Sequence, residues 1–150
     1  MSLKSDIASQ LMAVHTRIKK RVDNAGYEAL QETGKETVVE IRRRLNTGNR
    51  TGNVYRRGKR TRRASAAGEP PKTDTGKLAK SVRQFGKVKR TKHTNTLQLR
   101  AGNSKVVYAS YLEFGTDNMD ARPFMRPSLE NMKKRWWVHF RINLKRANLK

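Results

Sequence analysis

Residues 108–127 read YASYLEFGTDNMDARPFMRP, and their reading decides how the chain is divided. Tyr108, Tyr111, Phe114 and Phe124 fall in one short segment rich in turn formers. Gly115 can adopt the positive φ that ends a short helix. Pro123 and Pro127 fix their own φ and bias Arg122 and Arg126 toward extended backbone. Pro127 also suits the first turn of a helix. The stretch reads as a packed corner that carries the chain from a sheet into a final helix. Tyr111, Phe114 and Phe124 are its expected core. Glu113 is the one carboxylate expected inside it. An ion pair with Arg122 or Arg126 is the simplest use for that group, and a general base is the other.

Beyond the corner, Leu129, Met132, Trp136, Phe140 and Leu144 recur every three or four residues, the stripe of an amphipathic helix over 128–150. Trp136 lies on the stripe and is expected in the core. Trp137 lies off it and is a candidate interface residue. Before the corner, Leu97, Leu99 and Ala101 alternate with polar residues, the period of a strand. With Val82, Phe85 and Val88 they predict a hairpin closed by a five-residue connection, Thr91–Asn95, with a bulge near Gly86. Val106 and Val107 are expected to add a short strand. Asp74 or Thr75 is expected to cap a short helix starting near Gly76.

Residues 3–46 read as helix. Leu3, Ile7, Leu11, Val14, Ile18, Val22, Ala25 and Ala29 form one stripe, which faces either the core or a partner. The stripe then changes phase to Leu30, Gly34, Val38, Ile41 and Leu45. Asp23-Asn24-Ala25-Gly26 stands at the change and predicts a kink or two consecutive helices. Between helix and hairpin, residues 47–73 hold four glycines, two prolines and eight Lys or Arg against one Glu. Such a composition predicts a flexible basic arm without regular structure. The arm is either a solvated loop or a segment that orders on a neighbouring subunit or on phosphates. Its candidate contact residues are Arg50, Tyr55, Arg56, Arg57, Lys59, Arg60, Arg62 and Arg63.

The 150 residues suffice for one domain with a core, of α+β class: a long N-terminal helix, a small antiparallel sheet built on a hairpin, a C-terminal helix and a long basic loop. The divisions fall at 1–46, 47–73, 74–127 and 128–150. Thirty-five basic residues face twelve acidic ones, a formal charge of +23. An excess of that size repels itself and calls for a polyanion or an acidic partner. The chain has no cysteine, which excludes disulfides and thiolate chemistry and fits synthesis inside a cell. No apolar run approaches the roughly 20 residues of a membrane span. The amphipathic N-terminus lacks the apolar centre of a signal peptide.

Little in the sequence points to catalysis. His15, His93 and His139 stand in unrelated contexts without metal-site spacing. Thr75-Gly76-Lys77 fails as a phosphate loop, because Pro71 stands where a glycine is needed and Leu78 where Ser or Thr would hold Mg²⁺. There is no nucleophile elbow. The reading is of a non-enzyme without cofactor or metal.

Several motifs together carry a resemblance. They are Tyr55-Arg56-Arg57-Gly58, Ala64–Pro71, Asp74–Val82, Tyr108-Ala109 with Tyr111–Thr116, and Arg122–Pro127. In this order and spacing the chain is similar, from about Asn46 to the last helix, to the tail-completion or neck proteins of long-tailed bacteriophages. Ser128 departs mildly from the pattern, which often has Ala after the second proline. The resemblance implies a structural virion subunit that forms a six-fold ring. It implies contacts with a head-closure or connector protein and with a tail terminator or tail tube protein. It implies a channel for packaged DNA, which the basic arm could touch non-specifically, and no membrane. The competing reading from composition alone is a basic nucleic-acid-binding protein, ribosome-associated or DNA-coating. Against it, no RNP-type aromatic motif, GXXG clamp or helix-turn-helix pattern is present.

Overall fold

A computed structural model describes residues 3–92 and 94–148, so His93 lies outside the described residues. Its longest element, α1 (Leu3–Thr47), has 45 residues, roughly 65–70 Å at 1.5 Å per residue. The expected division into two helices near Asp23–Gly26 does not occur. A helix-interior glycine costs only about 1 kcal/mol, and this stretch is held from outside. Arg90 donates to the Asp23 carbonyl and to Asn24 Oδ1, both at 3.0 Å. Its guanidinium lies over the Tyr27 ring, 4.7 Å from the centroid.

Two antiparallel hairpins follow. β1 (Val54–Arg57) pairs with β2 (Arg60–Arg63). This corrects the expectation that the basic arm holds no regular element. The strands are mostly Arg and Thr and lack apolar alternation, so the ladder rests on backbone pairing around a turn at Gly58, whose φ is 59°. The chain then passes through the five-residue helix α2 (Lys77–Ser81) into β3 (Arg83–Arg90) and β4 (Asn95–Arg100). The register of β3 on β4 shifts between Phe85 and Lys89, and Gly86 has φ 77°, so the bulge falls where the sequence predicts. The connection is one residue shorter than expected, because Asn95 already pairs with Arg90. Val106 is buried without forming a strand: its N–H closes a turn onto the Asn103 carbonyl.

α3 (Ala109–Phe114) and α4 (Met125–Asn148) complete the chain. α4 runs antiparallel to α1, since Glu36 meets Arg135 while Glu32 meets Asn143. The core joins Val38, Ile41 and Leu45 of α1 to Leu78, Ala79, Val82, Val106, Ala109 and Phe124. Ala25, Ala29 and Met132 extend burial along the α1–α4 seam. Among the described residues, the stretch from Asp6 to Val22 adds nothing to this core. Ile7, Leu11, Val14, Ile18 and Val22 are all exposed.

Candidate functional site

The corner is built on the carboxylate of Glu113, buried at 9% exposure. Oε2 accepts the backbone N–H groups of Phe124 (2.8 Å) and Met125 (2.9 Å), and Oε1 accepts that of Arg126 (2.9 Å). These are the free donors at the start of α4. Neither the expected ion pair with Arg122 or Arg126 nor a poised base is formed. An anion at a helix N-terminus meets both the loose N–H groups and the positive end of the helix dipole, which together outweigh one guanidinium. Arg122 instead donates through Nε to the Ser65 carbonyl at 2.8 Å. Arg126 is helical rather than extended, since α4 begins at Met125.

The aromatic part of the corner divides in two. Phe124 is fully buried, as expected. Tyr111 and Phe114 are not core: they are 52% and 70% exposed. The reason is helical phase. Tyr108, Tyr111 and Phe114 recur every three residues on one side of α3, whereas Ala109, Leu112 and Glu113 face inward. Gly115 ends α3 with φ 79°, and its N–H reaches the Tyr111 carbonyl at 2.8 Å. Pro123 sits between the two at intermediate burial.

A second knot lies on Ser65, which the sequence reading passed over except as part of a motif. Its Oγ donates to the Asn49 carbonyl (2.7 Å) and accepts the Lys72 N–H (2.9 Å). The Gly68 N–H reaches the Ala121 carbonyl and the Thr73 N–H reaches the Leu45 carbonyl. The loop that follows β2 is thereby stitched both to the end of α1 and to the corner. Asp74 does not cap α2. It pairs with Arg62 at 2.6 Å and with Arg50 at 3.8 Å, while Thr73 Oγ1 accepts the Gly76 N–H at 2.9 Å.

Between the β1–β2 hairpin, this loop and α3 lies a concavity of about 370 Å³. Arg50, Arg63, Lys72, Lys77, Lys105 and Arg122 line it, with Asp74 its one carboxylate and Tyr55 and Tyr108 among its walls. Of the arm residues singled out in the sequence, the fold brings Arg50, Tyr55 and Arg63 to this place and Arg62 to its edge. Arg56, Lys59 and Arg60 are exposed on the hairpin away from it, and the side chain of Arg57 lies outside the described residues. Lys72, Lys77 and Lys105 were missed. They are far apart in sequence and form no run, so only the fold could gather them.

Among the described residues, two apolar surfaces stand out besides a hollow lined by Ala101, Ala109, Phe114, Met125 and Leu129. One is the α1 stripe from Ile7 to Val22. The other is a groove of about 520 Å³ between α1, β4 and α4, walled by Leu97, Leu99, Met125, Leu129, Met132 and Trp136. Thr33 Oγ1 and Asn95 Oδ1, both at this groove, are buried without a hydrogen-bond partner. Trp136 is half-buried and stacks on Phe140 at 5.3 Å. Trp137 is exposed and meets Trp136 edge-on at 4.8 Å.

Polar contacts lock α1 to α4 beside the groove. Arg135 Nε meets Glu36 Oε2 at 2.7 Å. His139 places Nδ1 3.0 Å from Glu32 and Nε2 3.2 Å from Glu36. The hydrogen bond from Arg135, with the nearby His139, holds the Glu36 carboxyl below its ordinary range. One turn on, the hydrogen bonds from Arg43 and Arg44 hold Glu40 down to about 2. Among the described residues no group of three or more His, Cys, Asp or Glu side chains could hold a metal ion. No described helix is long and apolar enough to cross a membrane.

Residues 6–115 match the model of a family described as "Bacteriophage HK97-gp10, putative tail-component". No curated protein and no solved structure matches the chain.

Proposed function

Given that the chain belongs to this bacteriophage tail-component family, we propose that it is a structural subunit of the phage neck. It forms a closed ring that completes the tail end, joins it to a head-closure or connector protein on one side and to a tail terminator or tail tube protein on the other, and lets DNA pass through its channel. The observation that supports the ring is the pairing of two unlike apolar surfaces on one chain. A closed ring of identical subunits needs head-to-tail contacts, in which one patch meets a different patch on the next copy. The stripe Ile7, Leu11, Val14, Ile18 and Val22 is a row of knobs at helical spacing, 40–65% exposed. The groove walled by Leu97, Leu129 and Trp136 is a receiving surface. A helix without tertiary contacts over some twenty residues is marginal in water, so the N-terminal half of α1 gains most from such a seat.

The absence of cysteine gives a clean test. Leu11→Cys and Leu129→Cys in one chain, oxidised at assembly concentration, should yield a ladder of covalent oligomers ending at one closed size. Each single variant should yield none. A ladder that stops at dimers would indicate a symmetric contact instead. Infectious particles that assemble normally from a Leu11→Asp/Ile18→Asp chain would remove the stripe from the joining function.

A further inference from the structure

The basic concavity under the β1–β2 hairpin is separate from both apolar surfaces. We infer that it is a binding site for the phosphodiester backbone of DNA, independent of how the subunits close into a ring. Three features point there. Lys72, Lys77 and Lys105 converge on it from a loop, a helix start and a turn, all three exposed and without an ion pair to another described residue. The one carboxylate in the wall, Asp74, is engaged by Arg62. The cavity therefore keeps a large excess of positive charge in a recess, where low-dielectric walls concentrate the field. Tyr55 and Tyr108 add hydroxyl donors and ring faces suited to phosphate and sugar.

The size is at the small end for ligand cavities, enough for a stretch of backbone. Duplex DNA carries one negative charge per about 1.7 Å of axis, which matches several cations gathered in one recess. Lys72, Lys77 and Lys105 meet phosphate as point charges rather than as planar forks, so their contribution is sequence-independent.

The test uses the full chain and a short DNA duplex of mixed sequence, titrated from about 50 to 200 mM salt. Lys72→Gln/Lys77→Gln/Lys105→Gln should lower affinity about tenfold or more and flatten the log–log salt slope by about 2–3. Lys134→Gln/Arg141→Gln/Lys145→Gln removes as much charge from the exposed face of α4 and should cost less than about threefold. Equal losses in the two variants would overturn the site in favour of diffuse attraction by the whole protein. Inorganic phosphate distinguishes the source of the anion. Weak binding of phosphate, competed by the duplex and lost in the pocket variant, supports a backbone site. Saturable phosphate binding that the duplex does not compete, or normal duplex binding with a changed oligomeric mass in the pocket variant, would overturn it.

Discussion

Glu113 and Pro127 divide the start of α4 between them. A helix leaves four N–H groups without partners inside it. Here three of the four positions, Phe124, Met125 and Arg126, donate to Glu113. The fourth is Pro127, which has no N–H to satisfy. Glu113→Ala should destabilise the chain by about 3 kcal/mol, since it strands several donors at a buried helix start. Glu113→Gln should cost less, about 1–2 kcal/mol, because an amide keeps one acceptor. Pro127→Ala should cost only about 0.5–1 kcal/mol, by restoring a donor and loosening the unfolded chain. Urea unfolding of the three variants checks the order; a harmless Glu113→Ala would remove the cap from the account.

The two phenylalanines of the corner should part company under the same substitution. Phe124 is fully enclosed, so Phe124→Ala should cost about 3–5 kcal/mol. Phe114 is 70% exposed, so Phe114→Ala should stay within about 0.5 kcal/mol of the parent. Thermal melts of the two variants decide it. A large loss at Phe114 in the dilute, dissociated chain would contradict its exposure.

These residues also show what a sequence can disclose. The α4 stripe, the β3–β4 hairpin and its bulge at Gly86 were legible, because period and glycine placement are local signals. Phe114 was misplaced because aromatic composition does not give the phase of a six-residue helix. The β1–β2 hairpin was missed because Arg and Thr carry no apolar alternation, and backbone pairing leaves no mark in composition. The stripe from Ile7 to Val22 was legible as a surface, but sequence does not reveal whether the body of the same chain covers it. Lys72, Lys77 and Lys105 were invisible as a group for a simpler reason: convergence in space has no sequence pattern.

The α1–α4 seam should weaken in acid. Glu36 is held below its ordinary carboxylate value of 4.5, first by the hydrogen bond from Arg135. A depressed folded-state pKa means that its contribution is fully present above about 4.5 and is lost as pH falls through the lower folded value. The size is modest, no more than about 1 kcal/mol, because Arg135 is 61% exposed. Glu36→Gln should therefore lower stability at neutral pH by that amount and match the parent near the acid end. Parallel urea curves at neutral and acid pH measure it, and a difference that persisted unchanged into acid would assign the effect to packing instead of charge.

Two glycines inside α1 should respond in opposite senses to alanine. Both would gain about 0.5–1 kcal/mol from better helix propensity if nothing else intervened. At Gly26 nothing does: an added methyl would rest at ordinary contact, 3.8 Å from Asn95 Nδ2 and 4.0 Å from Phe140. Gly26→Ala should therefore raise stability by about that gain. Gly34 is buried where β4 crosses α1, and a methyl there would overlap Leu97 Cδ2 and crowd the Gln84 amide. Leu97 would have to leave its packing against α1, and overpacking of this kind costs about 1–3 kcal/mol. Gly34→Ala should be destabilising on balance, with its melting temperature below the parent and that of Gly26→Ala above it. If both variants were stabilised, Leu97 would have turned aside into the open groove it walls, and its contact with α1 at Gly34 would carry little of the packing.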